Sequence, residues 1–364
     1  MKKSLFYLFS ALILFNVSCT EETAVVEENE ITSEDAKLAI QNMSNDMSLD
    51  IVEITQSEGI EGLRSLFNLV AIADPFGGRK EIDHSEYKAL LKDKAKIFRS
   101  IFSPQKSITG RVEEGFDFEA NKGVYDWNFF EERFVKTGLS NSIILNFPTE
   151  GSTILNATLE ISNYEEVMFI DDIENYYLPT TLVGSLTMDD ELIIDLDLTI
   201  SYNDYGDPLT GDVYLYLMPF TFNLSFDDSG STAATLMASI TKGEETIIAV
   251  DVELLFQDTQ KEEFLSLEGF VQYRDLKVSG SIQNVESDDP NDYVDLSIYI
   301  DNQLLGVIVF ELDSDEMMGD EMEYYAYVKY GDGSMERVED VFEPFMMEME
   351  DFMDDMETWG NEGG

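Results

Sequence analysis

After about residue 108 the apolar residues recur at every second position, and this constrains the fold more than any other feature. Residues 112–118, 143–147, 154–161, 192–202, 212–226, 247–256, 264–278, 293–300 and 304–312 each read as a strand with one apolar face. Turn signals such as Tyr205-Gly206-Asp207-Pro208, Asp227-Asp228-Ser229-Gly230 and Asp288-Asp289-Pro290-Asn291 separate them. Parallel neighbours need a crossover, usually a helix. No segment of helical period lies between these strands, so the sheet is expected to be an antiparallel meander.

Before residue 108 the period is helical. Ala36, Ile40, Met43 and Met47 share a face behind a Thr32/Ser33 cap. Ile60, Leu63, Phe67 and Val70 form a second stripe that ends at Asp74-Pro75-Phe76-Gly77-Gly78. Asp83 and Glu86 offer a capping box for a third helix with Tyr87, Leu90, Leu91, Phe98, Ile101 and Phe102 on one side. Lys88, Lys92, Lys96 and Arg99 give that helix a basic stripe. Helical period returns at the C-terminus, where Val338, Val341, Phe342, Phe345, Met346, Met349, Phe352, Met353 and Met356 line one face. Pro344 suits a first turn there. The opposite face is acidic, so this helix needs its Phe/Met side buried in order to form.

Residues 185–200 align without gaps to residues 239–254, an offset of 54. Each copy reads as strand, acidic turn, strand. The match has two explanations, duplicated hairpins or shared binary patterning.

The chain has 364 residues with 75 acidic and 22 basic side chains, a formal charge of −53. This excludes nonspecific binding to nucleic acid or to anionic lipid surfaces. With 44% hydrophobic and 12% aromatic residues it is not a disordered acidic chain. The charge is uneven. Residues 79–111 hold nine bases and four acids, whereas residues 311–364 hold nineteen acids and two bases.

The N-terminus carries an address. Lys2 and Lys3 precede an apolar run from Leu5 to Phe15, and Ser18-Cys19 follows. The run is too short to remain as a membrane span and reads as a secretory signal peptide. Ser18-Cys19 resembles the lipobox of bacterial lipoproteins, with Asn16 where Leu is usual. Cys19 is the only cysteine, so no intrachain disulfide is possible. Thr20-Glu21-Glu22 resembles the acidic tag of surface-exposed lipoproteins of the Bacteroidota. Gly123-Val124-Tyr125-Asp126-Trp127-Asn128, with Asn146-Phe147-Pro148, looks like uncharacterised lipoproteins of that group. The resemblance implies removal of residues 1–18, a lipid on Cys19 and an outer-membrane location, at the cell surface or on the periplasmic face. Loss of Lys2 and Lys3 carries the charge from −53 to −55.

Catalytic signals are few. His84 is the only histidine and lies between Asp83 and Ser85, but neighbours at a helix start cannot face one another as a triad. With one His and one Cys, no ordinary zinc site can be built. There is no nucleophile elbow, phosphate-binding loop or dinucleotide turn. Paired carboxylates remain, and Glu131-Glu132 lies beside Trp127, Phe129, Phe130 and Phe134, as a sugar platform or as core. Asp227, Asp228, Asp288, Asp289, Asp292, Asp313 and Asp315 are candidate Ca²⁺ ligands, although no loop matches an EF-hand.

The expected organisation is a signal peptide (1–18), an acidic tether (19–31), a helical region (32–108), an antiparallel β domain (109–330) and an acidic amphipathic helix (331–364). The fold class is α+β, mainly β: a long antiparallel meander, as a curved sheet or half-barrel, with helices at both ends. The expected function is a lipid-anchored, non-enzymatic binding or scaffolding module with no cofactor beyond possible Ca²⁺ and no nucleic-acid partner. The alternatives are a carrier of lipid or another apolar ligand, and a carbohydrate-active hydrolase.

Overall fold

The computed structural model describes residues 31–72, 115–131, 133–149, 152–170, 175–259, 261, 264–283, 287, 289–312 and 324–358. The described helices are α1 (Ser33–Thr55), α2 (Glu58–Ile72), the single turn α3 (Phe118–Asn121) and α4 (Val338–Thr358). Among the described residues there are sixteen strands, and from the third onward their order follows the chain. The fold is therefore the expected α+β antiparallel meander with helices at its two chain ends. The third expected helix, with His84 and the basic stripe, lies outside the described residues, as do Cys19 and the acidic tag. The chain forms two compact units, one built from residues up to 53 with 223–350, the other from 54–222 with the end of the chain.

The 54–222 unit contains β1 (Gly123–Asn128), β2 (Arg133–Gly138), β3 (Ile143–Phe147), β4 (Ala157–Ile170), β5 (Asn175–Met188), β6 (Glu191–Tyr202) and β7 (Pro208–Leu217). The order is β7-β6-β5-β4-β3-β1-β2. The meander has one exception: β1 pairs parallel with β3, Gly123 to Asp126 against Ile143 to Asn146. The short link after β2 passes the start of β1, where the Gly123 N–H donates to the Ser142 carbonyl at 2.9 Å. Phe147, Ile143, Leu182, Leu186 and Ile193 are fully or almost fully buried on one face. Helix α2 lies on β6 and β7 through glycine: a Cβ on Gly59 would stand 2.4 Å from the Leu217 backbone, and one on Gly62 would stand 2.8 Å from Ile193. The Gly59 N–H donates to the Met218 carbonyl at 3.0 Å, and the Ser57 hydroxyl oxygen caps the Ile60 N–H at 3.3 Å.

The chain leaves this unit within β8 (Phe220–Asp227). The second unit continues through β9 (Ala233–Lys242), β10 (Glu245–Phe256), β11 (Phe264–Tyr273), β12 (Leu276–Gln283), β13 (Val294–Ile300), β14 (Gln303–Leu312), β15 (Tyr324–Tyr330) and β16 (Met335–Arg337). Helix α1 belongs to it except for its last two residues, Ile54 and Thr55. Thr32 caps α1 as expected, its oxygen accepting from the Asp35 N–H at 3.2 Å. Ala36, Ile40, Ser44, Met47 and Ile51 are buried.

The polar face of α1 is pinned to the hairpin turns. The Asp332 N–H donates to Ser33 Oγ at 3.0 Å, and the Lys37 ammonium lies 3.5 Å from Glu336 and 4.9 Å from the Tyr330 ring centre. Asp50 accepts from the Tyr273 hydroxyl at 2.6 Å and from the Arg274 guanidinium at 2.9 Å. Arg274 also pairs with Glu245, and Lys242 reaches Glu53 at 2.5 Å. The spacing fits: Lys37 to Asp50 spans about 20 Å of helix, and β15 to β11 is four strand spacings, about 19 Å.

Three hairpins share one construction. The β5–β6, β9–β10 and β13–β14 turns are Asp189-Asp190, Gly243-Glu244 and Asp301-Asn302, with positive φ at Asp189, Asp190, Gly243, Asp301 and Asn302. Register then shifts so that one residue has no partner: Ile193, Ile247 and Leu305. Each is the fourth residue after the turn begins, and each is buried. The first two are equivalent at the offset of 54, so the sequence repeat aligns turn with turn and bulge with bulge. The third hairpin keeps the same spacing at an offset of 112 from the first, Asp189 to Asp301 and Ile193 to Leu305.

Some expected boundaries change. Residues 116–118 are not a strand end, because Asp117 accepts from the Ala120 N–H at 2.9 Å and caps α3; residues 112–114 lie outside the described residues. The run 212–226 is two strands broken at Met218-Pro219, since proline has no N–H for a central ladder. The run 264–278 breaks at Arg274, whose φ of 49° is held by Asp50. Strand β4 starts at Ala157, not 154, and extends to Ile170. β1, β2, β15 and β16 have no counterpart among the expected strands, and β5 and β9 have one only at residues 185–188 and 239–242, the first strand of each repeat copy. Helix α4 starts at Val338, so Pro344 lies inside it and not in its first turn. Val338, Val341, Phe342 and Phe345 of the expected stripe are buried, and the side chains of Met349, Phe352, Met353 and Met356 lie outside the described residues.

Candidate functional site

The feature that stands apart from core and clamps is the other face of β3 to β7. Its side chains are set by strand alternation, opposite to the buried set. Asn146 accepts from the Thr158 hydroxyl at 2.9 Å and donates to Asp126 at 2.7 Å, which orders the β1–β3–β4 end. The register then places Glu160, Ser185, Asp195 and Tyr216 in one row across β4 to β7. The next rows hold Val183, Asp197 and Tyr214, then Thr181, Thr199 and Asp212. Asp197 and Asp212 are exposed, and Tyr214 is 40% exposed. Among the described residues no hydrogen bond or ion pair engages the carboxylates of Glu160, Asp195, Asp197 or Asp212. Asp195 and Asp197 are two positions apart on one strand, about 7 Å.

The strands β3 to β7 supply no countercharge of their own. From residue 137 to residue 241 the sequence contains seventeen Asp and Glu and no Lys, Arg or His. The gap escapes a search for charge blocks because its acids are spread over many turns and strands. Counting bases instead of acids exposes it.

A second polar group is built around Glu166. Its carboxylate accepts from the Phe116 N–H at 2.7 Å and from the Tyr164 hydroxyl at 2.6 Å. Phe116 packs edge-on against Tyr164, centroids 5.4 Å apart. Gly115 permits the approach, because a Cβ there would collide with Glu166 and with Tyr177. Burial pushes the Glu166 carboxyl above the usual carboxylate value, against the two hydrogen bonds. Burial, then the bond to Glu166, pushes the Tyr164 phenol above its ordinary range. The arrangement anchors the chain entering at Phe116, with one hydrogen bond accepted by each carboxylate oxygen.

Comparison with protein families, characterised proteins and solved structures finds no match.

The candidate Ca²⁺ ligands are occupied locally where they are described. Asp227 accepts from the Ser229 hydroxyl and N–H, which hold its carboxyl below the usual range, and Asp228 pairs with Lys261. Asp289 caps a short turn through the Asn291 N–H at 3.0 Å, and Asp292 accepts from the Ser287 hydroxyl at 2.6 Å. Among the described residues no three His, Cys, Asp or Glu side chains converge on a metal-sized site. Asp288, Asp313 and Asp315 lie outside the described residues. The Glu131 cluster divides: Phe134 is buried and packs edge-on against Trp127 at 5.4 Å, Phe129 and Phe130 are exposed, and Glu131 pairs with Arg133 at 2.5 Å. Glu132 lies outside the described residues.

Proposed function

We propose that this chain is a lipid-anchored cell-envelope lipoprotein acting as a non-enzymatic binding module, with the open face of β3 to β7 as its binding face. The observation that carries the binding role is that face: ordered hydroxyls, tyrosines and uncompensated carboxylates, with no base in residues 137–241. Its chemistry favours a cationic partner, such as a Lys/Arg-rich polypeptide, held by carboxylates and by tyrosine faces. The anchor rests on Cys19 after a short apolar run, with an acidic tether before α1.

Native mass spectrometry of the protein from its own host tests both parts. The expected result is a chain beginning at a diacylated Cys19 with a partner that dissociates as salt rises. Cys19→Ala should move the protein from the membrane to the soluble fraction, because the lipid supplies most of the membrane affinity. A variant that still sediments with membranes refutes the anchor. Shaving intact cells with protease should remove the protein if the tag directs it outward, and full protection places it on the periplasmic face.

A further inference from the structure

Resting on the reading of the open face as a binding face for a cationic polypeptide, we propose that apolar side chains of that same partner dock on three turns at one end of the 54–222 unit. β1 and β3 run parallel, so the β1–β2 turn and the link from β3 to β4 leave the sheet at one end. β4 opposes both β3 and β5, so the β5–β6 turn lies at that end too. The last two are tied together: the Asp189 N–H donates to the Asn156 carbonyl at 2.8 Å, and Asn156 Oδ1 accepts from the Thr149 N–H at 2.9 Å.

These turns present Phe129 and Phe130, Ile154 and Leu155, and Leu192, all exposed; Phe130 is 96% exposed and Ile154 66%. A single exposed apolar side chain is ordinary, but five on neighbouring turns form a ridge. From β1 to β6 the ridge crosses four strand spacings, about 19 Å. Its backbone is set before any partner arrives. Asn128 Oδ1 accepts from the Phe130 and Glu131 N–H groups at 2.9 and 3.0 Å, and the Ser152 hydroxyl oxygen accepts from the Ile154 N–H at 3.2 Å. Turns fixed in this way lose little freedom on binding.

The charge around the ridge selects its occupant. The described carboxylates on these turns are Glu131, Asp189, Asp190 and Glu191, and the described base beside them, Arg133, is held by Glu131. Among the described residues no hydrogen bond or ion pair engages the carboxylates of Asp190 or Glu191. An apolar centre with an acidic rim complements an apolar centre with a Lys/Arg rim. A bilayer would have to take up these carboxylates together with the side chains they flank. A second copy would bring the same acids in a chain of −53. The ridge also runs into the open face: Leu192 pairs with Thr187, one row from Ser185 and Asp195. One segment can therefore seat apolar side chains on the turns and hold its bases over Asp195 and Asp197.

The test uses the mature chain with Cys19→Ser and two labelled peptides. One carries Leu-Trp-Leu ahead of alternating Lys and Ser; the other has Ser in place of the apolar residues. The first should bind at least about tenfold tighter than the second. The double variant Phe130→Ser with Ile154→Ser, exposed positions that should leave the melting temperature unchanged, should remove that advantage and leave the second peptide's affinity as it was. Asp195→Asn with Asp197→Asn should weaken both peptides, which checks the open face by itself. If the second peptide binds and the first gains nothing over it, or keeps its gain in the double variant, the proposal is overturned while the open face keeps its role. If neither peptide binds at millimolar concentration, both are overturned. Sedimentation with phosphatidylcholine vesicles, or self-association, that the double variant abolishes would give the ridge to a bilayer or to a second copy and would also overturn the proposal.

Discussion

Glu166 shows how one side chain can be held and penalised at once. Its oxygens satisfy the Phe116 N–H and the Tyr164 hydroxyl, yet burial raises its pKa. The folded state thus favours the protonated form. The contribution to stability is largest below the usual carboxylate value and falls as pH rises through the raised one. Glu166→Gln can accept from the Phe116 N–H through Oε1 and donate to the Tyr164 hydroxyl oxygen through Nε2, and it should remove this decline. Denaturation from about pH 4 to pH 8 should show the parent losing stability relative to the Gln variant, and parallel curves would refute the account. Glu166→Leu should instead cost about 1–3 kcal/mol at neutral pH, because two buried donors lose their partner. No sequence pattern marks Glu166 among 75 acidic residues: Tyr164 is a same-face neighbour that any strand offers, and the contact that singles out Glu166 is to Phe116, fifty positions away.

At the scale of elements, legibility follows locality. Strand period, the α1 cap and the buried stripe of α4 need only neighbouring residues, and the sequence displays them. Pro219 outweighs the alternation around it, so the run read as one strand over 212–226 is two. The break at Arg274 was not legible, because a non-glycine turn with positive φ is held there by Asp50 on a helix more than two hundred residues earlier. The same reasoning applies to Gly59 and Gly62. In an exposed helix, Gly→Ala is expected to stabilise by up to about 1 kcal/mol. At Gly59 the new methyl would meet the Leu217 backbone at 2.4 Å, so Gly59→Ala should destabilise by about 1–3 kcal/mol in urea titration. A neutral result would mean that α2 does not lie against β7 in solution. The open face of β3 to β7 was half legible: its alternation is plain, whereas its lack of bases emerges only when the register brings Glu160, Asp195 and Asp212 to one side.

For the whole molecule, the acidic C-terminal helix is part of the fold and not a free tail. Phe345→Ala should cost about 3–5 kcal/mol, and removal of residues 338–364 should lower the melting temperature by more than any surface charge reversal. An unchanged melting temperature on truncation would contradict the burial of Val341, Phe342 and Phe345. Salt should raise the melting temperature by screening a charge of −53. Because the described Asp loops already serve their own turns, millimolar Ca²⁺ and Na⁺ at matched ionic strength should act equally; a larger Ca²⁺ shift would reveal a specific site. Helix α1 sets a different constraint, one of time. Asp50 is fastened to Tyr273 and Ser33 to Asp332, separations of 223 and 299 residues. A chain made at roughly 5–20 residues per second completes α1 first and supplies these anchors about ten seconds to a minute later. Through that interval Ile40, Met47 and Ile51 have nothing of their own to cover them, so the first of the described helices to be made is among the last elements to find its place.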